Sequence, residues 1–388
     1  MSKINVLVLN DFTRDNRVLK VSRTLHAAGH EVQVLALWRP GLPAEEQGED
    51  GVRVIRLRLW SHRLPQGKFW GMIKWLELAT QVVFRHSSAD AWHCNDIEAF
   101  VLGVAAKLRR PKLKLVYDCH ELESERNAQA QWMRKTIGWL EHRFIRKAAV
   151  TLVVSPSILG YYQRKYQASG LGPIYLVRNV PHAPMEHQVL PSVPGFQAHF
   201  GLPAGTRMVL YQGAFTFNRG LECCIAAAQL LDRENIHLVF MGYGPLQALV
   251  DQAVADHANV HYMPAVPYEL VLAWTRTADV GLVSVAPVCL SYLYCLPNKL
   301  FEYIQAGIPV LTNNLPDCAS LVLDHGVGEV VLEDTPSGWA TGIRLILSKP
   351  QGNYQEALES AASELCWQKE SQMLLQAYRT AGIVSPAT

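Results

Sequence analysis

The chain reads as an α/β protein built from two doubly wound halves. Three observations predict this: its length, a repeated alternation of short apolar runs with helical apolar spacing, and a proline-rich stretch at its middle. With 388 residues and 49% hydrophobic composition there is apolar material for two cores, each of about 180 residues. Pro181, Pro184, Pro191, Pro194 and Pro203 mark where one core ends and the next begins. The expected division is a first domain over 1–182, a linker over 183–206, a second domain over 207–364 and a final helix within 365–388.

In the first half, Ile4 to Leu9 is a strand and Asp15 to Ala28 a helix stopped by Gly29. Glu31 to Leu37 is the next strand, so the chain opens as a βαβ unit. Residues 41–50 read as loop, and Val52 to Leu59 as a half-exposed strand alternating apolar residues with arginine. Ala91 to Asp96 ends a further strand, capped into a helix over Ile97 to Leu108 by Asn95 or Asp96. Leu113 to Tyr117 is a strand running at once into Asp118-Cys119-His120-Glu121, followed by a long helix from Ala128 to Ala148. Val150 to Val154 and Tyr175 to Val177 complete the half, with Ser155-Pro156 as a helix start between them. Two strand ends thus deliver His93, Asp96, Asp118, His120 and Glu121 to one place. Open α/β sheets bind ligands at such ends.

The second half repeats the pattern. Met208 to Tyr211 is a strand leading through Gln212-Gly213 to Arg219-Gly220 and a helix from Leu221 to Leu231. Strands follow at His237 to Met241, Val260 to Met263, Asp279 to Val285, Ile308 to Leu311 and Gly328 to Val331, with amphipathic helices at Trp339 to Leu347 and Tyr354 to Tyr378.

Composition excludes several classes. The eight cysteines form no Cys-x-x-Cys pair, which reads as reduced thiols and a cytoplasmic chain. No apolar run reaches the ~20 residues of a membrane span. Residues 1–185 carry 27 Lys+Arg against 16 Asp+Glu, and residues 186–388 carry 9 against 18. A basic first half suits a phosphate-bearing acceptor or an anionic lipid headgroup, and nothing resembles a nucleic-acid-binding module. Between Trp60 and Phe84, the aromatics Trp60, Phe69, Trp70 and Trp75 lie among Arg63, Lys68 and Lys74, a mixture that suits a lipid–water interface and equally suits packing within the domain.

One stretch carries the strongest chemistry. In Pro297-Asn298-Lys299-Leu300-Phe301-Glu302-Tyr303, the proline suits a first helical turn and Gly307 ends the helix. The helix start offers unpaired N–H groups and a positive dipole to a phosphate, Lys299 adds a full charge, and Glu302 could accept both hydroxyls of a ribose. Spacing alone also fits a capped helix with a solvated lysine and glutamate. Arg219-Gly220 presents a second cation at a helix start.

This stretch resembles the nucleotide-sugar motif of family 4 glycosyltransferases, which have the GT-B fold of two Rossmann-like domains facing each other across a cleft. The first half matches the same family through Asp15, Arg17 and Val18 after the first strand, through the His93-to-Asp96 run, and through Tyr117-Asp118-Cys119-His120-Glu121. The resemblance implies transfer of a hexose-type sugar from a nucleoside diphosphate donor to a glycan or lipid-linked acceptor, with retention of configuration. It implies no bound metal and no cofactor. Arg219 and Lys299 would clamp the diphosphate and Glu302 the ribose. Gly213, Asn298 and Leu300 join the donor site, Val266 lies nearest the nucleobase, and Tyr294 stands with Ser291 and Tyr292 beside the sugar, where the common pattern has a glutamate. His120, then Asp96, would act at the transferred sugar, and Arg14, Arg17, His93 and Glu121 would belong to the acceptor side or the cleft, with His93 standing behind the residues that touch the sugar. The last helix would cross back to the first domain. The fold and clamp also suit a nucleotide-sugar epimerase or a non-catalytic GT-B subunit. The expected setting is the cytoplasm, with peripheral contact on an anionic inner-membrane face.

Overall fold

The computed structural model describes residues 1–13, 15–48, 50–65, 67–183, 190–350 and 352–384. Arg14 and Pro184, and the side chains of Lys68 and Phe69, lie outside that description. Two compact units result: Met1–Arg178 with Glu370–Thr388, and Asn179–Lys369.

The first unit runs β1 (Lys3–Leu7), α1 (Asn16–Ala27), β2 (Glu31–Leu37), β3 (Glu45–Gln47), β4 (Arg53–Leu57), α2 (Lys68–Arg85), β5 (Ala91–Asn95), α3 (Asp96–Arg109), β6 (Lys114–Cys119), α4 (Gln131–Phe144), β7 (Val150–Val153), α5 (Pro156–Tyr166) and β8 (Ile174–Leu176). Its sheet has the order β3-β4-β2-β1-β5-β6-β7-β8, parallel except for β3. The chain reverses direction across the sheet between β1 and β5, and a ligand site in such a sheet forms outside the strand ends at that switch. Asp15 caps α1 by accepting from the Val18 N–H, and Ser155 caps α5 ahead of Pro156. Two local expectations change. The polar loop 41–50 contains β3, and Arg56, expected on a half-exposed face, is buried against Glu46, the Asp11 carbonyl and the Pro43 carbonyl. Glu77 accepts from the backbone N–H groups of Trp60 and Ser61, so it caps the short turn ahead of α2.

One buried cluster ties three elements of this unit together. The Glu141 carboxylate of α4 accepts hydrogen bonds from Tyr117 of β6 (3.0 Å) and from Tyr162 and Tyr166 of α5 (the latter 2.6 Å). Burial raises its pKa, and the phenols pull the other way.

The second unit runs α6 (Phe196–His199), β9 (Arg207–Ala214), α7 (Leu221–Gln229), β10 (Ile236–Tyr243), α8 (Gln247–Asp256), β11 (Val260–Pro264), α9 (Tyr268–Thr275), β12 (Val280–Val283), α10 (Leu290–Leu293), α11 (Asn298–Ala306), β13 (Val310–Asn313), α12 (Pro316–Asp324), β14 (Gly328–Val331), α13 (Pro336–Ser348) and α14 (Gln355–Glu364). Its sheet, all parallel, has the order β11-β10-β9-β12-β13-β14, with the switch between β9 and β12. Residues 195–206, expected within the linker, carry α6, whose Phe196 ring packs on Trp274. The single helix expected over Tyr354 to Tyr378 is two, α14 and α15 (Trp367–Thr380), and from Glu370 onward the chain belongs to the first unit. Among the described residues no helix is long and apolar enough to cross a membrane.

Candidate donor site and histidine cluster

In the second unit the site grows from the switch between β9 and β12. The loop after β9 reaches Gly220, in the left-handed region at φ 70°, where a Cβ would fall 1.7 Å from Ser284 Oγ at the end of β12. Only glycine lets α7 start so close to that strand. Gly213, at φ 116°, has open space where a Cβ would stand. α11 starts just after Pro297, which occupies the capping position at ψ 142° and not the first turn as expected, and Gly307 closes it at φ 74°. Neither α7 nor α11 has a side-chain cap at its N-terminus. Both therefore present uncapped N–H groups and the positive ends of their dipoles.

Two cations accompany these helix starts. The Arg219 guanidinium stacks 4.3 Å from the Tyr292 ring centroid, and the Lys299 ammonium lies 3.5 Å from that of Tyr211. The Tyr211 hydroxyl donates to the Arg219 carbonyl, so the two cation–aromatic pairs are joined. Lys299 is half-buried as a residue, but its Nζ is out of solvent and has no hydrogen-bond partner among the described residues. Burial pushes its pKa down to about 7, and the like charge of Arg219 adds to that against the opposing pull of Cys224 and Glu302. A buried ammonium that makes no hydrogen bond is costly, and an anion at this point would relieve it. One turn along α11, Glu302 accepts from Gln212 Nε2. Thr275 Oγ1 donates to Gln212 Oε1 at 2.7 Å, which orients that amide.

The remaining expectations separate. Asn298 is exposed, with its Oδ1 accepting from Asn179 at 3.0 Å. Leu300 is a correction: its side chain is fully buried and its N–H bonds the Pro297 carbonyl at 3.0 Å, so it has no group to offer a ligand. Tyr294 closes the short helix α10, and Val266 stands half-exposed between β11 and α9. Gln212, Tyr211 and Tyr292 make the contacts that hold the charged groups. Only Tyr292 stood among the expected neighbours, and nothing local in the sequence marks Gln212.

In the first unit the strand ends meet as foreseen, in different roles. Arg17, expected on the acceptor side, is buried: its Nε and Nη2 bond the Asp118 carboxylate at 2.9 and 2.6 Å, and its Nη1 bonds the Val177 carbonyl. It faces inward because α1 turns that side toward β6, so it is a counter-ion within the core. His93 stands behind the strand ends, fully buried between Asp118 (3.1 Å) and the Tyr378 hydroxyl of α15 (2.8 Å). Burial pushes the Asp118 pKa up, but Arg17 and then His120 outweigh it and hold the carboxyl well below its usual range.

His120 remains partly open, at 25% side-chain exposure. Its Nε2 is 3.1 Å from Asn95 Oδ1 and 3.5 Å from Asp118 Oδ2, and its Nδ1 is 3.7 Å from Asp96 Oδ1. Burial lowers its pKa, the carboxylates of Asp96 and Asp118 raise it more, and the net shift is upward. Asp96 begins α3 at φ 64°, a left-handed conformation that costs a non-glycine residue of order 1–3 kcal/mol and collects at functional sites. Arg126, which no sequence signal singled out, pairs with Glu121 (3.0 Å), Glu123 (2.8 Å), Asp96 (3.5 Å) and Glu98 (3.6 Å). Glu121 is thus held at Arg126. Burial and then Asp96 push the Glu123 pKa well up, against the pull of Arg126. Among the described residues no three His, Cys, Asp or Glu converge as a metal site.

A sheet switch that presents two cations, two uncapped helix starts and a carboxylate one turn away defines an α/β protein with a site suited to an anionic ligand. Comparison with known proteins makes that class specific. Residues 15–170 match the glycosyl transferase 4-like domain and residues 206–349 the glycosyl transferases group 1 family. The chain belongs to the glycosyltransferases of the GT-B fold, of the family 4 type. It is 25% identical over 200 residues to D-inositol 3-phosphate glycosyltransferase of Arthrobacter sp. (strain FB24), a match that covers 48% of this chain and 46% of that protein. Among solved structures, sucrose-phosphate synthase from Thermosynechococcus elongatus aligns with a TM-score of 0.79 at 19% identity, over 98% of both chains. Anabaena HepE in complex with UDP-glucose aligns with a TM-score of 0.72 at 15% identity, over 99% of this chain and 100% of that one.

Proposed function

We propose that this protein transfers a hexose-type sugar from a nucleoside diphosphate sugar to a glycan or lipid-linked acceptor, with retention of anomeric configuration. The observation that carries the reading is the buried Lys299 Nζ, packed on the Tyr211 ring with no hydrogen-bond partner among the described residues, beside Arg219 at helix starts without caps. The diphosphate supplies the missing anion. As the bond from sugar to phosphate breaks, negative charge grows on the leaving oxygens, where Arg219, Lys299 and the N–H groups of α7 and α11 are already oriented. These charges do the work that a divalent cation does elsewhere, and no metal or cofactor is needed. Glu302, oriented by Gln212, accepts from the ribose hydroxyls. His120 acts at the transferred sugar with Asp96, and retention follows if the released phosphate serves as the base for an acceptor attacking the same face. The donor belongs to the second unit and the acceptor to the first.

The first unit's surface supports a lipid-linked acceptor at the cytoplasmic face of an anionic membrane. Trp60, Met72, Trp75 and Leu76 are exposed on and before α2. On α4, Trp132 and Trp139 lie two turns apart, exposed with Lys135, Arg143 and, just beyond the helix, Arg146. The sole acid of α4, Glu141, is buried on the other side. Tryptophans and cations without carboxylates complement an anionic interface.

The deciding experiment is calorimetric titration of UDP-glucose and GDP-mannose into the wild type, Lys299→Ala and Glu302→Ala, followed by product analysis with and without acceptor extracts. Binding of one donor that weakens about 10- to 100-fold in each variant is expected from loss of a charge-assisted contact. Unchanged binding in both folded variants would refute the site, and isomerised free donor would replace transferase with epimerase.

A further inference from the structure

We infer that Asn95 is a positioning residue that holds His120 by its Nε2–H and leaves Nδ1 as the ring nitrogen that gains and loses a proton. Asn95 ends β5 with its side chain buried, and its Nδ2 donates to the Leu7 carbonyl of β1 at 3.0 Å. A reversed amide would set oxygen against oxygen there, so Oδ1 is fixed toward the end of β6. At that end His120 Nε2 lies 3.1 Å from Asn95 Oδ1 and 3.5 Å from Asp118 Oδ2. Asp118 is ionised against Arg17, so both oxygens only accept. A ring nitrogen facing two acceptors carries hydrogen. The neutral ring is therefore the Nε2–H tautomer, and its lone pair sits on Nδ1, which makes no hydrogen bond among the described residues and has Asp96 Oδ1 3.7 Å away.

The groups facing the ring are Asn95 from β5, Asp96 from the start of α3, Asp118 from β6 and, behind Asp118, Arg17 from α1. Three of these carry charge. Asn95 alone is neutral and unable to titrate, so it sets the ring's plane and tautomer at every pH. It is a residue of the core that acts through His120, and it acts on the sugar only by way of that ring.

The inference rests on the proposed role of His120 for its kinetic consequence, not for its geometry, and the experiment separates the two. The full chain is labelled with 15N-histidine, and the His120→Gln spectrum identifies the His120 signals. In the wild type the neutral ring is expected to show hydrogen on Nε2 and a bare Nδ1, with slow exchange of the Nε2 hydrogen. Asn95→Asp places a carboxylate at Nε2 and raises the His120 pKa by about one unit or more. Asn95→Ala lowers it and speeds the exchange. UDP release from UDP-glucose is then expected to fall about 100-fold in kcat for Asn95→Ala, with KM within about threefold, the pattern of a misplaced group. Hydrogen on Nδ1 in the wild-type neutral ring would overturn the inference. So would identical His120 titrations in all three proteins, or a loss confined to KM. Should the wild type release no UDP, the donor assignment fails while the tautomer and titration results still decide the role of Asn95.

Discussion

Lys299 gives donor binding a pH dependence that can be worked out in advance. The perturbation is pH itself, from 6 to 9. In the empty protein the buried amine has a pKa of about 7, and an adjoining diphosphate returns it to the charged form. Both phosphates of a sugar nucleotide are ionised throughout this range, and so is Arg219, so the ligand and its other cation hold constant. Below pH 7 the amine is already charged and affinity is flat. Above pH 7 each donor must bring a proton with it, and affinity falls about tenfold, or ~1.4 kcal/mol, per pH unit. At pH 8 only about one empty site in ten carries the charge. Calorimetry in two buffers of different ionisation enthalpy reads the proton count directly: near one taken up per donor at pH 8, approaching zero at pH 6. Affinity that stays level from pH 6.5 to 8.5, or binding without proton uptake at pH 8, would refute the reasoning.

The same lysine predicts a gain in stability when it is removed. The unfolded chain keeps the proton up to the ordinary lysine value while the folded chain releases it near 7, so stability rises with pH through that window. Lys299→Met is expected to raise stability at pH 7 by about 3 kcal/mol, less than the full shift implies because the stem is partly exposed, as read by denaturant melts, and to weaken donor binding about 10- to 100-fold. Arg17→Met leaves Asp118 in the core without its guanidinium counter-ion, and a loss of about 3–5 kcal/mol is expected by the same melts. Asp96→Gly relieves the φ of 64° and is expected to hold or raise stability by about 1 kcal/mol while transfer falls, which separates strain from function. Trp132→Ala with Trp139→Ala should weaken co-sedimentation with phosphatidylglycerol vesicles and leave donor titrations unchanged. Equal sedimentation by variant and wild type would count against a lipid contact at α4.

What the sequence made legible follows from how local each signal is. Glu31–Leu37 and Gly328–Val331 were read to the residue, because each gathers its β-branched and apolar residues into a short run just after a glycine. Gly307 as the end of α11 was equally local. β3 was invisible because Glu45-Glu46-Gln47 has no apolar face, and α8, α9 and α12 passed unmarked between stronger motifs. The donor clamp was legible as motif chemistry, since Lys299 and Glu302 belong to one helix. The partners of Arg17 and His93 were hidden for the opposite reason. What fixes each is Asp118, 101 residues from Arg17 and 25 from His93, and no spacing within α1 or β5 reports a partner at that distance. Asn95 stayed hidden likewise, its orientation set by a carbonyl 88 residues away.

The carboxylate shared by three phenols has a mechanical sequel. Tyr117 lies on the strand that ends at His120, and Glu141 on the helix whose outer side bears Trp132 and Trp139. Bolted together in this way, α4 cannot slide or tilt without dragging β6 or breaking a fully desolvated junction. A push or pull felt at the two tryptophans is thereby delivered, with little give along the way, to the base of the histidine.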